Sequence, residues 1–183
     1  VPVTPKDTTL RDDLFLIGQK DDERAELLFR LNEQLFDKLQ LKSITIDLDG
    51  TALPVDGHQE GAEKGYCPEE PGSRCFQSVK AICDETETVL AEWSMPGNAH
   101  CARDVIDHLK PLLDRLAQKG MKVTMRLDAG FYSAELLQLF ESYSNVTYII
   151  SVPQHEWLQA KVKALSYKSY YGSQRDYTTF AYA

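Results

Sequence analysis

The chain has 183 residues, of which 43% are hydrophobic and 26% charged, the proportions of a globular protein with room for one sizeable core. A formal charge of -8 weighs against a stand-alone nucleic-acid binder, because phosphate contacts require Lys and Arg, although an acidic core can sit beside basic arms. No apolar run approaches the roughly eighteen residues of a membrane span and no signal-peptide pattern opens the chain, so no membrane partner is expected.

Residues 1–20 are polar, with Pro2 and Pro5, and read as an arm. The run "DDERAELLFRLNEQLFDKLQ" then sets Leu27, Leu28, Leu31, Leu35 and Leu39 at helical spacing, with Asp21 and Asp22 suited to the positive end of the helix dipole. In "KSITIDLDGT", strand alternation puts Ile44, Ile46 and Leu48 on one face and Thr45, Asp47 and Asp49 on the other, and Gly50 is expected to end the strand. The Gly- and Pro-rich "VDGHQEGAEKGYCPEEPGS" reads as a long loop. "RCFQSVKAIC" and "TVLAEWSM", joined by "DETE", predict an antiparallel hairpin.

Asn98 is expected to cap one long helix, "AHCARDVIDHLKPLLDRLAQK", with Pro111 a source of a kink and Gly120 its C′ residue; His100 reads as a surface residue near that cap. "MKVTMRLD" predicts a strand ending at Asp128, Ser133 a cap for "AELLQLFES", "NVTYIISV" a strand and "QHEWLQAKVKAL" a short helix. A hairpin meander followed by alternating strands and helices describes an α/β fold of the ribonuclease H-like kind, a mixed sheet (antiparallel hairpin plus parallel strands) with helices on both faces. The expected organisation is an arm and helix over 1–40, a catalytic core over 41–155, and a helix with the start of an inserted β-rich segment over 156–183. The first residue, Val1, and the strand-like closing run "DYTTFAYA" are what a fragment of a longer protein would show.

"TIDLDGTALP" admits two chemistries. A hydrophobic run into Asp-x-Asp-Gly-Thr resembles the opening of haloacid-dehalogenase-like phosphatases, in which Asp49 would be the nucleophile. That motif, however, is followed by a helix or cap rather than by a loop and hairpin. The other chemistry needs one carboxylate on the first strand and a second at the end of the strand after the long helix, and Asp49 and Asp128 occupy those places. Carboxylates on neighbouring strands can share divalent ions that clamp the oxygens of a phosphoryl displacement. Each also admits a plainer role as a turn residue before glycine.

Taken together, "IDLDGTALPVDGHQEGAEKGY", "MPGNAHCARD" and "MRLDAGFYS" resemble the catalytic core of bacterial insertion-sequence transposases of the DDE type, from about Lys42 to Pro153. The resemblance implies metal-dependent cleavage and strand transfer at element ends, with Mg2+ or Mn2+ as cofactor. It implies terminal-repeat and target DNA as partners, a homodimer in the full-length enzyme, and a cytoplasmic, nucleoid-associated location. Asp49 and Asp128 become the catalytic and metal-binding acids. Asp47, on the same face, is a further metal ligand, a supporting carboxylate or simply solvated.

A third acid is required, usually Glu on a later helix. Glu156 is the one at hand, and the expectation is that the real one lies beyond Ala183, which would leave this piece inactive or a DNA-binding remnant. Gln59, Lys64 and Tyr66, with His58 and Glu60, match the family's "G-x-Q-E-G … GY" run and are expected to contact DNA. Arg126 is expected to contact a phosphate or to pair with Asp49. "SYKSYYGSQR" interleaves Tyr167, Tyr170 and Tyr171 with Lys168 and Arg175, which suits either a nucleic-acid surface or an edge strand. Cys67, Cys75, Cys83 and Cys101 lack zinc-site spacing and read as reduced, partly buried thiols of a cytosolic protein.

Overall fold

The computed structural model describes residues 21–57, 59–153, 155–165, 168–169 and 176–177. The arm over 1–20, His58, Tyr167, Tyr170, Tyr171 and Arg175 lie outside the described residues, as does the side chain of Lys168. The chain divides into two compact units, Val1–Ser151 and Val152–Ala183.

In the first unit, α1 (Asp21–Lys38) leads into β1 (Ser43–Val55), the short β2 (Glu63–Lys64), and the hairpin of β3 (Arg74–Cys83) and β4 (Thr88–Pro96). Two helices, α2 (Cys101–Asp104) and α3 (Ile106–Gln118), precede β5 (Lys122–Leu127); then α4 (Ala134–Glu141) precedes β6 (Val146–Ile150). β1 is central. It pairs antiparallel with β3 and parallel with β5, β5 pairs parallel with β6, and β3 carries both β2 and β4 on its far side. This is the mixed sheet of the ribonuclease H-like fold. In the second unit, α5 (Glu156–Ala164) is followed by a two-residue antiparallel pair, β7 (Lys168–Ser169) with β8 (Asp176–Tyr177).

Strand alternation decides which face builds the core. Ile44, Ile46 and Leu48 of β1, Val79, Ala81 and Cys83 of β3, and Val123, Met125 and Leu127 of β5 are all buried. They join one cluster with Phe29 and Phe36 of α1, Leu109, Leu112, Leu113 and Leu116 of α3, and Leu136 and Phe140 of α4. Each Val, Leu, Ile, Met or Phe among them contributes about 1.5–3 kcal/mol on leaving water. All the longer helices of this unit therefore share one face of the sheet, where helices on both faces were expected. The opposite face presents Thr45, Asp47 and Asp49, Lys80 and Ile82, Thr124, Arg126 and Asp128, and Thr147 and Ile149, all partly or fully exposed.

Several elements differ from their expected form. Gly50 does not end β1, because β3 goes on pairing with it as far as Val55 opposite Arg74. Past Leu48 that strand has β3 as its one partner among the described residues, so Pro54 costs no ladder bond on the open side. The buried stripe of α1 is Phe29, Asn32 and Phe36, while Leu27, Leu31 and Leu39 are half exposed. Phe29 sits beside Leu90 and Trp93 of β4 and Leu112 and Arg115 of α3, and the Arg115 guanidinium lies 3.8 Å over its ring. Asn32 is tolerated there because its amide donates to the Leu28 and Val89 carbonyls and accepts from the Thr88 hydroxyl.

The helix after Pro96 is interrupted at Val105, not at Pro111, which sits inside α3. Asn98 does not cap it. His100 holds that position and donates its backbone N–H to Asp104 Oδ2 at 2.8 Å, so the first turn is closed from within. The other end is as expected. Gly120, at φ +69°, lets its N–H reach Ala117 O and that of Met121 reach Leu116 O, a Schellman ending sealed by the buried Met121 and Leu116. Ser133 caps α4 by accepting the Leu136 N–H at 3.2 Å.

Candidate active site

The register between β1 and β5 builds the site. Asp47 lies opposite Arg126 and Leu48 opposite Leu127. The next residues on, Asp49 and Asp128, follow two side chains that are both buried in the core, so both carboxylates emerge on the opposite, exposed face. Adjacent strands run about 4.8 Å apart, which makes these side chains neighbours at the C-terminal edge of the parallel strands.

Asp128 is the pivot where β5 ends and a 3-10 turn, Ala129–Phe131, begins. Its Oδ1 accepts the Gly130 N–H at 2.8 Å, which fixes the side chain. On the core side, Phe131 of that turn and Cys101 of α2 come within 3.4 and 3.6 Å of where a Gly50 Cβ would lie. The residue following Asp49 thus leaves room for the turn following Asp128. Among the described residues no hydrogen bond or ion pair engages the Asp49 carboxylate.

Asp47 is differently placed. The Arg126 guanidinium donates to both of its oxygens at 2.5 Å and lies 3.1 Å from Asp84 Oδ1. The bidentate bond to Asp47 and the charge of Asp84 hold Arg126 firmly protonated, its pKa raised further. Arg126 therefore pairs with Asp47 rather than Asp49, and its charge is already matched. Next to it, the Glu85 carboxylate accepts the Thr45 N–H with both oxygens at 2.8 Å, while Asp84 donates its N–H to Thr45 O. Burial works against the charge on Glu85, but that amide bond prevails and its pKa is lowered. The hairpin turn is thereby locked to β1 at Thr45, four residues before Asp49.

Gln59, Lys64 and Tyr66 are not brought to the pair. β1 runs on to Val55, about 20 Å past Asp49 at strand rise, before the connecting loop begins. In that loop Gln59 Nε2 donates to Asp56 O at 2.5 Å. Lys64 is exposed in β2, paired with Arg74 at the far end of β3, and Tyr66 is 79% exposed. The backbone there crosses the end of β4 at close range. A Cβ on Gly65 would stand 1.7 Å from Gly97 O, and one on Gly97 would stand 2.2 Å from Glu63 O. The buried Gln77 donates to both Tyr66 O and Gly97 O, at 2.8 and 3.3 Å, and ties the crossing together. Glu156 opens α5 in the second unit and is exposed.

Cys67, Cys75 and Cys83 are buried free thiols and Cys101 is half buried. Burial raises the pKa of Cys75, Cys83 and Cys101, so they stay protonated and poor ligands. Among the described residues no three His, Cys, Asp or Glu side chains converge as a metal site.

The family model for the transposase DDE domain, group 1, matches residues 16–183. The chain belongs to this DDE transposase family. Membership assigns "TIDLDGT" to a transposase DDE domain rather than to a haloacid-dehalogenase-like phosphatase. No curated protein matches. Among solved structures, the DDE domain is similar to a piggyBac transposase synaptic complex with hairpin DNA, at 16% identity and TM-score 0.42, over 66% of this chain and 26% of that one. It is also similar to the Mos1 mariner paired-end complex with Mn, at 12% identity and TM-score 0.40, over 84% of this chain and 45% of that one. The domain thus spans between about a quarter and just under half of those chains.

Sequence reasoning missed Lys80, Glu92, Asp84 and Glu85. Alternation along "RCFQSVKAIC" assigns Lys80 to the Ser78 and Ile82 face, but only the register places it opposite Asp49. No helix among the described residues is long and apolar enough to cross a membrane.

Proposed function

We propose that this domain supplies two acids of a metal-dependent DNA transposase that cleaves and joins strands at the ends of an insertion sequence. One observation carries the reading: Asp49 and Asp128 are next in register on adjacent parallel strands and share an exposed face. Two hard carboxylates in that relation suit Mg2+ or Mn2+, which prefer oxygen ligands and keep several waters. A bound ion there would supply Lewis-acid activation of a phosphodiester and of the attacking hydroxyl. Asp49 and Asp128 would hold it, with Asp128 kept in orientation by the Gly130 amide.

Asp47 is assigned a different task from that of a metal ligand. Its pairing with Arg126 supports a role in holding β1 and β5 in register, and Arg126 serves as that pair's cation rather than as a phosphate contact. Gln59, Lys64 and Tyr66 suit contacts to DNA flanking the cleaved bond, since a duplex spans the distance between loop and acids easily. DNA ends and target DNA are the partners, a dimer the working form, and the bacterial cytoplasm and nucleoid the setting.

The test is Mn2+-dependent nicking of supercoiled plasmid by a transposase containing this domain. Asp49→Ala and Asp128→Ala are expected to lower nicking to background while far-ultraviolet circular dichroism is unchanged. Full nicking by either variant would remove that residue from the site.

A further inference from the structure

Four charged residues form a transverse row across the exposed face: Glu92 of β4 opposite Lys80 of β3, Lys80 opposite Asp49 of β1, and Asp49 next in register to Asp128 of β5. Directly opposed residues of an antiparallel pair have Cβ atoms about 5 Å apart, so the Lys80 ammonium is within reach of whatever Asp49 binds. Lys80 is 42% exposed and lies 3.8 Å from Glu92 Oε1, a long contact. That same oxygen already accepts the Ser78 hydroxyl at 2.8 Å. The ion pair is therefore weak and readily exchanged, and it draws Lys80 away from Asp49, whose oxygens stay unengaged among the described residues.

We infer that Lys80 is a substrate-contacting residue: it leaves Glu92 to donate to a non-bridging oxygen of the DNA phosphate lying over Asp49 and Asp128. The inference rests on the acid-pair reading of those two residues. Among the described residues, Arg126 is the other cation on this face near the acids, and it is held by Asp47 and Asp84. An entering phosphate beside two carboxylates needs a compensating positive charge on the protein side, and Lys80 is the cation placed to provide it. A simple cross-strand partner of Glu92 would have no such role, and DNA binding separates the two.

The experiment measures binding of the chain to a fluorescently labelled duplex of mixed sequence across a salt series. Calcium is present, so that binding is read without cleavage. Lys80→Gln is expected to weaken binding about tenfold at low salt and to reduce the slope of log K against log salt by about 0.9, the value of one phosphate contact. Lys80→Arg is expected to keep the wild-type slope. An unchanged slope in Lys80→Gln, or a wild-type chain that does not bind the duplex, overturns the inference. Mn2+ titration of Asp49→Asn reads the underlying assignment separately. Loss of Mn2+ binding there leaves the acid pair standing whatever Lys80 does, whereas retained binding sinks the pair and with it the placement of a phosphate beside Lys80.

Discussion

Asp47 and Asp49 stand two positions apart on one face of β1, yet their surroundings separate them. Asp47 has both oxygens engaged by Arg126, while Asp49 has no described partner and a carboxylate neighbour in Asp128. Removing Asp47 alone would leave Arg126 with Asp84 only, so Asp47→Ala should loosen the β1–β5 edge and lower Tm rather than abolish metal binding. Two other residues carry titration signatures. The Tyr143 phenol is part-buried and donates to Asp114 at 2.6 Å, and burial first, then that bond, push it up to about 12 from 10.0. Its stabilising effect is complete below pH 10 and is lost as pH rises through the folded value. Alkaline unfolding followed by circular dichroism should therefore show a loss of stability over that window that is absent in Tyr143→Phe. Glu85 has the opposite sign. With its pKa lowered from 4.5, its contribution is complete above that value and disappears as pH falls through the lower folded one. Glu85→Gln should flatten the acid limb of the stability profile.

At the scale of elements, the order of strands and helices was legible because periodicity is local. Ile44, Ile46 and Leu48 announce a strand, and Leu109, Leu112, Leu113 and Leu116 announce a helix, whatever lies around them. What needed three dimensions was anything set by a neighbour. The extension of β1 past Gly50 depends on β3 pairing with it, and the burial of Phe29 in preference to Leu27 and Leu31 depends on the volume left beside α3 and β4. The cap at Ser133 was legible from sequence alone, and Ser133→Ala is expected to cost about 1 kcal/mol by denaturant unfolding. The crossing of Gly65 and Gly97 was not, because two glycines distant in sequence show no sign of touching. A side chain on either meets backbone oxygen well inside contact distance. Gly97→Ala should therefore cost about 3 kcal/mol, an overpacking penalty measurable in the same experiment.

For the whole molecule, the placement of Asp49 and Asp128 on neighbouring strands was legible because the element order assigns it. Their common face followed from counting alternation from the buried Leu48 and Leu127. The charges around them were hidden. Arg126 could be read as a phosphate contact until the register set it against Asp47, and Lys80 had no reason to stand out until the register set it against Asp49. The most direct measurement is isothermal titration of the chain with Mn2+. The account predicts binding that is lost in both Asp49→Asn and Asp128→Asn and kept in Asp47→Asn. Wild-type affinity in either of the first two variants would contradict it.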